Sequence, residues 1–171
     1  MLEGEIVVRG DEHRVERPFP QLTIAVAPPR VADRSRMIVE KLAELGVDGL
    51  VWLMTDRGEG RPPRRDRYDA WARAALEQSK GAWLLDVRVG AGPEGPWPDE
   101  ARVVVCDPGG ESALDSLAGD QPILGLVGPE GGFAPTELPT DARLVSLGDR
   151  VLRVETAAIA LGAIVRAQRR P

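Results

Sequence analysis

The sequence predicts an α/β fold in which helices cover both faces of a parallel sheet. Short apolar runs of strand length lack the polar–apolar alternation of half-exposed strands, which is typical of strands buried on both faces. Segments with apolar residues at helical spacing separate these runs, so strands and helices alternate from Gln21 onward. Internal repeats and low-complexity segments, which would indicate another architecture, are absent from the sequence.

Six apolar runs are predicted as strands and four segments as helices. The strands are "LTIAVAP" (22–28), "GLVWLMT" (49–55), "AWLLDVRV" (82–89), "ARVVVCD" (101–107), "QPILGLVG" (121–128) and "ARLVSLG" (142–148). The helices are "DRSRMIVEKLAELGV" (33–47), "DAWARAALEQSK" (69–80), "ESALDSLAG" (111–119) and "VLRVETAAIALGAIVRAQRR" (151–170). Asp33 is a candidate N-cap of the first helix and Gly46 its end. We expect a short lead-in over 1–20 and one main domain over 21–171.

The bulk properties fit one globular domain with a single core. The net charge of −5 argues against attraction of nucleic acid by the whole surface. No apolar stretch reaches the roughly 18 residues that span a bilayer, and the N-terminus lacks a basic start followed by an apolar core. The single cysteine, Cys106, excludes an internal disulfide framework. We therefore expect a cytoplasmic protein without a membrane segment.

Positive charge is concentrated in "RGEGRPPRRDR" (57–67). The candidate RNA-binding residues in this stretch are Arg57, Arg61, Arg64 and Arg65. A local cluster of arginines can contact phosphate even on an acidic protein. A solvated loop explains the cluster equally well.

Several common chemistries lack the residues they need. The single histidine, His13, lies in the lead-in, so a Ser-His-Asp or Cys-His arrangement has no support. There is no Cys/His cluster, so no metal site is predicted. Both the P-loop pattern and a G-x-G-x-x-G after the first strand are missing. What remains is a pocket for a small cofactor, lined mainly by backbone.

Two glycine-containing loops, 128–133 and 147–152, follow strands near the C-terminus. In parallel sheets, ligands bind outside the carboxyl ends of the strands. Glycine and proline fix an unusual backbone path and allow close approach to the main chain. The loops therefore predict a cofactor pocket, and a bare tight turn between strand and helix is the alternative.

The two loops carry a family resemblance. The stretch "LVGPEGGF" (126–133), followed by "SLGDRVLRVETAAIAL" (146–161), resembles the paired signature of the RsmE family. These are S-adenosylmethionine-dependent ribosomal RNA methyltransferases of the SPOUT superfamily. "MIVEKLAELGV" and "AALEQS" resemble two further family stretches, so the similarity runs from about Leu22 to the C-terminus.

The resemblance implies a fold and an assembly. The family fold is a parallel α/β sheet with a C-terminal trefoil knot, which ordinary topology rules would argue against. The family works as a homodimer, and the final helix supports this because it is apolar almost all round and must be covered on every side. Burial within one subunit is the alternative. Family members also carry an N-terminal PUA-like domain, of which 1–20 resembles a remnant, either through truncation or as a natural short form.

The resemblance also implies that the two loops hold S-adenosylmethionine. The predicted cofactor-binding residues are Leu126, Val127, Gly128, Pro129, Gly131, Gly132, Leu147, Gly148, Val151, Leu152 and Thr156. Backbone N–H and C=O groups can pair with adenine while apolar side chains pack its ring. A generic Rossmann-like protein that binds NAD or ATP is a further reading, which the missing glycine fingerprint disfavours.

The family methylates ring nitrogen 3 of a uridine in the 16S ribosomal RNA of the 30S particle. This N–H must lose its proton before an in-line attack on the sulfonium methyl. We expect Arg150 or Arg153 to stabilise the uridine anion, and Glu130 or Glu155 to orient an arginine or accept the proton. Purely structural Arg153–Glu155 or Arg150–Glu130 ion pairs are the alternative.

Three departures from the family pattern lie on the side expected to meet RNA. They are "PPRVA" (28–32), "GEGRPP" (58–63) and Lys80-Gly81, whereas the cofactor motifs are intact. This asymmetry leaves a second hypothesis open: a dimeric module that binds S-adenosylmethionine with altered or lost RNA methylation.

Overall fold

The computed structural model describes Arg17, 19–90, Gly92 and 100–168, and within them one parallel sheet forms the centre of the fold. The six strands are β1 (Leu22–Val26), β2 (Gly49–Trp52), β3 (Asp86–Val89), β4 (Arg102–Ser112), β5 (Ile123–Val127) and β6 (Arg143–Ser146). The helices are α1 (Ala32–Glu44), α2 (Arg65–Ser79), α3 (Ala113–Ser116) and α4 (Val154–Ala167), with a 3₁₀ turn at Pro135–Glu137. The strand order is β3-β2-β1-β5-β4-β6, with every pairing parallel.

The predicted α/β fold with a parallel sheet is confirmed, and every predicted strand and helix is present. The boundaries differ from the prediction in several elements. β4 continues through Pro108 to Ser112 and pairs with β6 across a bulge between Cys106 and Glu111, so α3 is shortened to Ala113–Ser116. α4 begins only at Val154, which leaves 147–153 as a loop.

The two faces of the sheet are covered differently. The larger core cluster lies between the sheet and the helices, and Trp52 is its largest fully buried side chain. The other face carries a smaller cluster that includes Leu53 and Leu124, and the irregular segment 133–142 packs against it through Phe133 and Leu138. In the part of the chain that is described, this segment rather than a helix covers the second face. The expectation of helices on both faces therefore needs this correction.

α4 is the element that joins the two loops of interest to the core. Leu161 lies over Gly125 of β5, where a Cβ atom would overlap with the end of the Leu161 side chain, and Gly162 lets α4 approach Leu42 of α1. At its other end, the Arg166 guanidinium donates to Asp48 Oδ2 at 2.6 Å and to the Pro20 carbonyl at 3.0 Å. This packing fixes the first turn of α4 beside the carboxyl edge of the sheet.

The predicted lead-in, 1–20, lies almost entirely outside the described residues. His13 lies outside them too, as do Arg169 and Arg170 at the end of the predicted last helix. The trefoil knot stays a prediction.

Candidate functional site

A cleft of about 590 Å³ opens at the carboxyl ends of β5 and β6 and at the bulge of β4 between them. β4 pairs with both β5 and β6, so the loops after these two strands flank β4 at its bulge. The lining residues from these loops and from the start of α4 are Val105, Cys106, Asp107, Pro108, Val127, Gly128, Pro129, Glu130, Gly131, Gly132, Phe133, Leu147, Gly148, Arg150, Val151, Leu152, Arg153, Val154 and Ala157. Arg57 and Leu138 complete the wall. The parallel sheet thus brings together the two loops that the sequence predicts.

The loop after β5 is shaped by its glycines. A Cβ atom at Gly128 would lie 3.0 Å from Cε2 of Phe133, so the Phe133 ring packs directly over this backbone. Gly132 has a φ of +69°, which L side chains rarely adopt, and its N–H donates to the Pro129 carbonyl at 2.8 Å. The loop therefore presents backbone rather than side chains along this wall of the cleft.

The glycine loop is tied to the loop after β2 by two side chains. The Arg57 guanidinium donates to the Gly131 carbonyl at 2.9 Å and, at longer range, to the Phe133 carbonyl at 3.4 Å. The Glu137 carboxylate accepts from the Asp56 N–H at 2.7 Å and from the Ala134 N–H at 2.6 Å. Together these contacts hold the glycine loop in one position.

The loop after β6 offers both backbone and apolar surface. Gly148 has a φ of +135°. The Ser146 hydroxyl donates to the Gly148 carbonyl at 3.1 Å and accepts from its N–H at 3.4 Å. Val151 is 85% exposed, whereas Leu147 and Leu152 are half-buried. An exposed valine beside a glycine turn can cover an apolar ligand.

The bulge of β4 is the part of the cleft that the sequence interpretation missed. Cys106, Asp107 and Pro108 form its floor between the two loops. The Asp107 carboxylate accepts from the Gly109 N–H at 2.8 Å, and burial raises the pKa of the Cys106 thiol to about 12. The thiol is therefore neutral near pH 7. The sequence could have indicated these residues, because "ARVVVCD" was predicted as a strand of the same parallel sheet. The carboxyl end of this run therefore had to lie at the same edge of the sheet as the two loops.

The two glutamates of the motifs meet an arginine from α1. Arg34 lies between them, with Nη1 at 3.8 Å from Glu130 Oε1 and Nε at 3.5 Å from Glu155 Oε1. Glu155 is only 7% exposed, and its Oε2 has no hydrogen-bond partner among the described residues. The structural ion pairs of this site therefore run to Arg34, not to Arg150 or Arg153 as the alternative reading expected. Sequence reasoning missed Arg34 because it lies in a distant helix.

The predicted cofactor-binding residues line the cleft, apart from two. Leu126 is fully buried in the smaller core cluster, so it supports the loop from below. Thr156 is exposed on the first turn of α4 and lies outside the lining. Of the candidate catalytic residues, Glu130, Arg150 and Arg153 line the cleft, whereas Glu155 lies behind it.

The candidate RNA-binding arginines fall into three places. Arg57 belongs to the cleft just described. Arg61 and Arg64 line a second cleft near the start of α1. Arg65 points along α2 and pairs with Asp69, with Nε at 3.5 Å from Oδ2. The arginines of this cluster are thus divided between two clefts and the surface of α2.

Within the described residues, no group of three or more His, Cys, Asp or Glu side chains is placed to hold a metal ion. None of the described helices is long and apolar enough to cross a bilayer.

Comparison with known proteins places the chain in a family of RNA methyltransferase domains. The family model of the RNA methyltransferase domain matches residues 15–166, and the chain belongs to this family. Proteins from Mycobacterium bovis and Mycobacterium tuberculosis, each named ribosomal RNA small subunit methyltransferase E, are 33% identical to it over 172 aligned positions. These alignments cover 85% of this chain and 63% of each relative, so the chain spans less than two thirds of the relatives' length. The predicted resemblance to the RsmE family is confirmed.

Solved structures give the same result for the fold. A probable rRNA-methyltransferase from Porphyromonas gingivalis superposes with a TM-score of 0.83 at 28% identity, covering 91% of this chain and 71% of that one. A ribosomal RNA small subunit methyltransferase E from Neisseria gonorrhoeae, bound to S-adenosylmethionine, has a TM-score of 0.73 at 24% identity. This superposition covers 86% of this chain and 65% of the gonococcal chain. At 24% identity the similarity shows the fold alone.

Proposed function

We propose that this chain is a methyltransferase domain that uses S-adenosylmethionine to methylate ring nitrogen 3 of a uridine in 16S ribosomal RNA. The observation that carries the proposal is the cleft between the carboxyl ends of β5 and β6, at the bulge of β4. Its volume of about 590 Å³ lies within the roughly 300–1,000 Å³ typical of small-molecule sites. The names of the mycobacterial relatives support methylation of ribosomal RNA. The two loop motifs that resemble those of the RsmE family support S-adenosylmethionine as the cofactor.

The cofactor would lie between the two glycine-containing loops. Backbone groups of 128–133 and 147–152 would recognise the adenine edge, because both loops present main chain to the cleft. Leu147, Val151 and Leu152 would pack against the ring. When bound, S-adenosylmethionine would supply an electrophilic methyl group.

The basic side chains at the rim would act on the uridine. Arg150 and Arg153 are exposed, line the cleft and form no ion pair with a described carboxylate. Their charges are therefore available to stabilise the anion that forms when the uridine N–H loses its proton. Of the two glutamates proposed as bases, Glu130 lines the cleft, whereas Glu155 would orient Arg34 from behind.

The chain would form a homodimer through α4. This dimer would act in the cytoplasm on the RNA of the 30S particle. The support for the dimer is a row of half-buried apolar residues on α4. These residues are Ile159, Ala160, Ala163 and Ile164. Small residues in this row allow a second helix to approach closely. Replacement of Ala163 by Arg should convert a dimer to monomers in sedimentation experiments, and an unchanged mass would exclude this interface.

Calorimetric titration of S-adenosylmethionine into a pair of matched glycine variants tests the cofactor site. Gly148 in the cleft and Gly119 outside it have similar backbone angles, φ +135° and +123°, which are both unfavourable for alanine. Gly148→Ala and Gly119→Ala should therefore cost comparable stability. Only Gly148→Ala should lose the cofactor, because it moves backbone that would contact the ligand.

We expect the wild type to bind about one cofactor per subunit. Absence of heat in a folded wild-type sample, confirmed by equilibrium dialysis, would refute the cofactor assignment. Equal binding by the two variants would move the cofactor away from the loop at 147–152.

A further inference from the structure

A second cleft, of about 670 Å³, lies beside the start of α1 and is separate from the first. One wall is the loop between β1 and α1, from Pro29 to Ala32, and the other is formed by 59–64 and the start of α2. Four arginines line it against a single carboxylate: Arg30, Arg61, Arg64 and Arg67 against Glu59. The cleft is therefore basic although the whole chain carries a net charge of −5.

Two of these arginines are already neutralised and two are not. Arg30 pairs with Glu59, and Arg64 pairs with Asp66 of α2. Arg61 and Arg67 form no ion pair with any carboxylate in the described ranges, and both are exposed. Their guanidinium groups can bind an anion bidentately without breaking an existing pair.

The floor of the cleft contains an aromatic ring. Trp71 of α2 is half-buried, packs against the larger core cluster with part of its surface and lines the cleft. A ring supported from behind and flanked by free arginines is the combination that binds single-stranded nucleic acid, because bases stack on the ring while cations follow the backbone.

The walls of the cleft are held together tightly. Gly60 packs so closely on the Pro28 carbonyl that a Cβ atom at this position would overlap with it. The contact joins "PPRVA" to "GEGRPP", so two of the three segments that depart from the family pattern form the walls of one feature. The cleft therefore exists before any ligand binds.

The second cleft is close to the first along one loop. Arg57 lines the first cleft and Arg61 the second. Their Cα atoms are at most about 14 Å apart, since four residues of extended chain reach no further. One RNA strand can therefore contact both clefts.

We propose that this second cleft binds the RNA strand next to the target nucleotide, with backbone phosphates on Arg61 and Arg67 and a base stacked on Trp71. This inference rests on the proposed function in that it takes RNA to be the substrate. It adds a strand-binding site outside the cofactor cleft, which α2 forms together with two segments that depart from the family pattern.

The test measures binding of a fluorescein-labelled oligouridylate of 12 residues by anisotropy at several salt concentrations. The test variant is Arg61→Gln/Arg67→Gln. The matched control is Arg73→Gln/Arg143→Gln, which removes the same charge from two exposed arginines outside both clefts. Loss of two phosphate contacts should lower the slope of log K against log salt by about 1.4. The control should leave the slope close to wild type, and an equal change in both variants would refute the site.

Two further measurements sharpen the result. Trp71→Leu should weaken oligouridylate binding about fivefold or more without a change in salt slope, because it removes stacking and no charge. Unchanged affinity in this variant would refute the stacking role. Binding of uridine monophosphate as tight as that of the oligouridylate would make the cleft a mononucleotide site and overturn the proposal.

Titration of S-adenosylmethionine into the same proteins separates the two proposals. Normal cofactor binding with an unchanged salt slope in the Arg61/Arg67 variant would refute the RNA site alone. A reduced slope in a protein that binds no cofactor would support the RNA site and refute the proposed function.

Discussion

The contact between Arg57 and the glycine loop leads to a prediction about cofactor affinity. Arg57 lies in the arginine-rich stretch, yet its guanidinium donates to the Gly131 carbonyl at 2.9 Å, in the cofactor cleft. A hydrogen bond from a charged donor contributes about 1.5–3 kcal/mol, and the exposure of Arg57 favours the lower end. The second bond, at 3.4 Å to the Phe133 carbonyl, is long and adds little. Arg57→Gln should therefore weaken S-adenosylmethionine binding about tenfold.

The assay is calorimetry at fixed ionic strength, with Arg88→Gln as the control. Arg88 pairs with Asp86 at the β3 edge of the sheet and lies outside the cofactor cleft. Glu137→Ala should also weaken the binding of S-adenosylmethionine, because Glu137 holds the same loop through the Asp56 and Ala134 N–H groups. The effects of Arg57→Gln and Glu137→Ala should not add, since both variants release one loop.

The refuting result concerns Arg57 itself. Wild-type cofactor affinity in Arg57→Gln, together with a lowered salt slope for oligouridylate, would assign this residue to RNA and separate it from the cofactor loop.

Three further predictions concern buried groups. Arg34→Leu should lower the free energy of unfolding, measured by urea titration, by about 1–3 kcal/mol, because Glu155 then loses its ion pair. The double variant Arg34→Leu/Glu155→Gln should recover part of this loss, because it removes the unpaired charge. Arg166→Leu removes the 2.6 Å partner of the Asp48 carboxylate, which keeps Arg17 and the Leu22 N–H. We expect a loss of about 1–3 kcal/mol in the same measurement, and an unchanged free energy of unfolding would contradict this. The pKa of Cys106 is raised from 9.0 to about 12, so its contribution to stability is complete below pH 9 and is lost as the pH rises towards 12. Cys106→Ala should flatten the fall in stability over that range, and an unchanged slope would exclude the thiol as a cause.

The fold was predictable because its central strands, β1 and β5, are buried on both faces. Continuous apolar runs such as "ILGLV" in β5 indicate strands without any tertiary information. Boundaries were harder where tertiary pairing overrides local signals. Pro108 and the glycines after it indicate a turn, yet pairing with β6 beyond the bulge extends β4 to Ser112. Coverage of the second face by 133–142 was not visible in the pattern, because an irregular segment has no period.

The candidate site was predictable where it lies on contiguous motifs. The loops at 128–133 and 147–152 line one cleft because β4 separates their strands by a single position. Arg34 and Glu137 were missed because they act through contacts with residues far away in sequence. Arg57 was grouped with Arg61 by charge, and only the path of the loop separates them into two clefts.

Methyl transfer to ribosomal RNA tests the central claim most directly. The purified chain would be incubated with 30S particles lacking the modification and with methyl-labelled S-adenosylmethionine, and the 16S RNA would then be digested and its nucleosides separated by mass. We expect one labelled 3-methyluridine per 16S RNA, lost in Arg153→Ala provided that this variant still binds the cofactor. Absence of label from 16S RNA, in a protein that binds S-adenosylmethionine with normal affinity, would contradict the proposed activity and leave a cofactor-binding module.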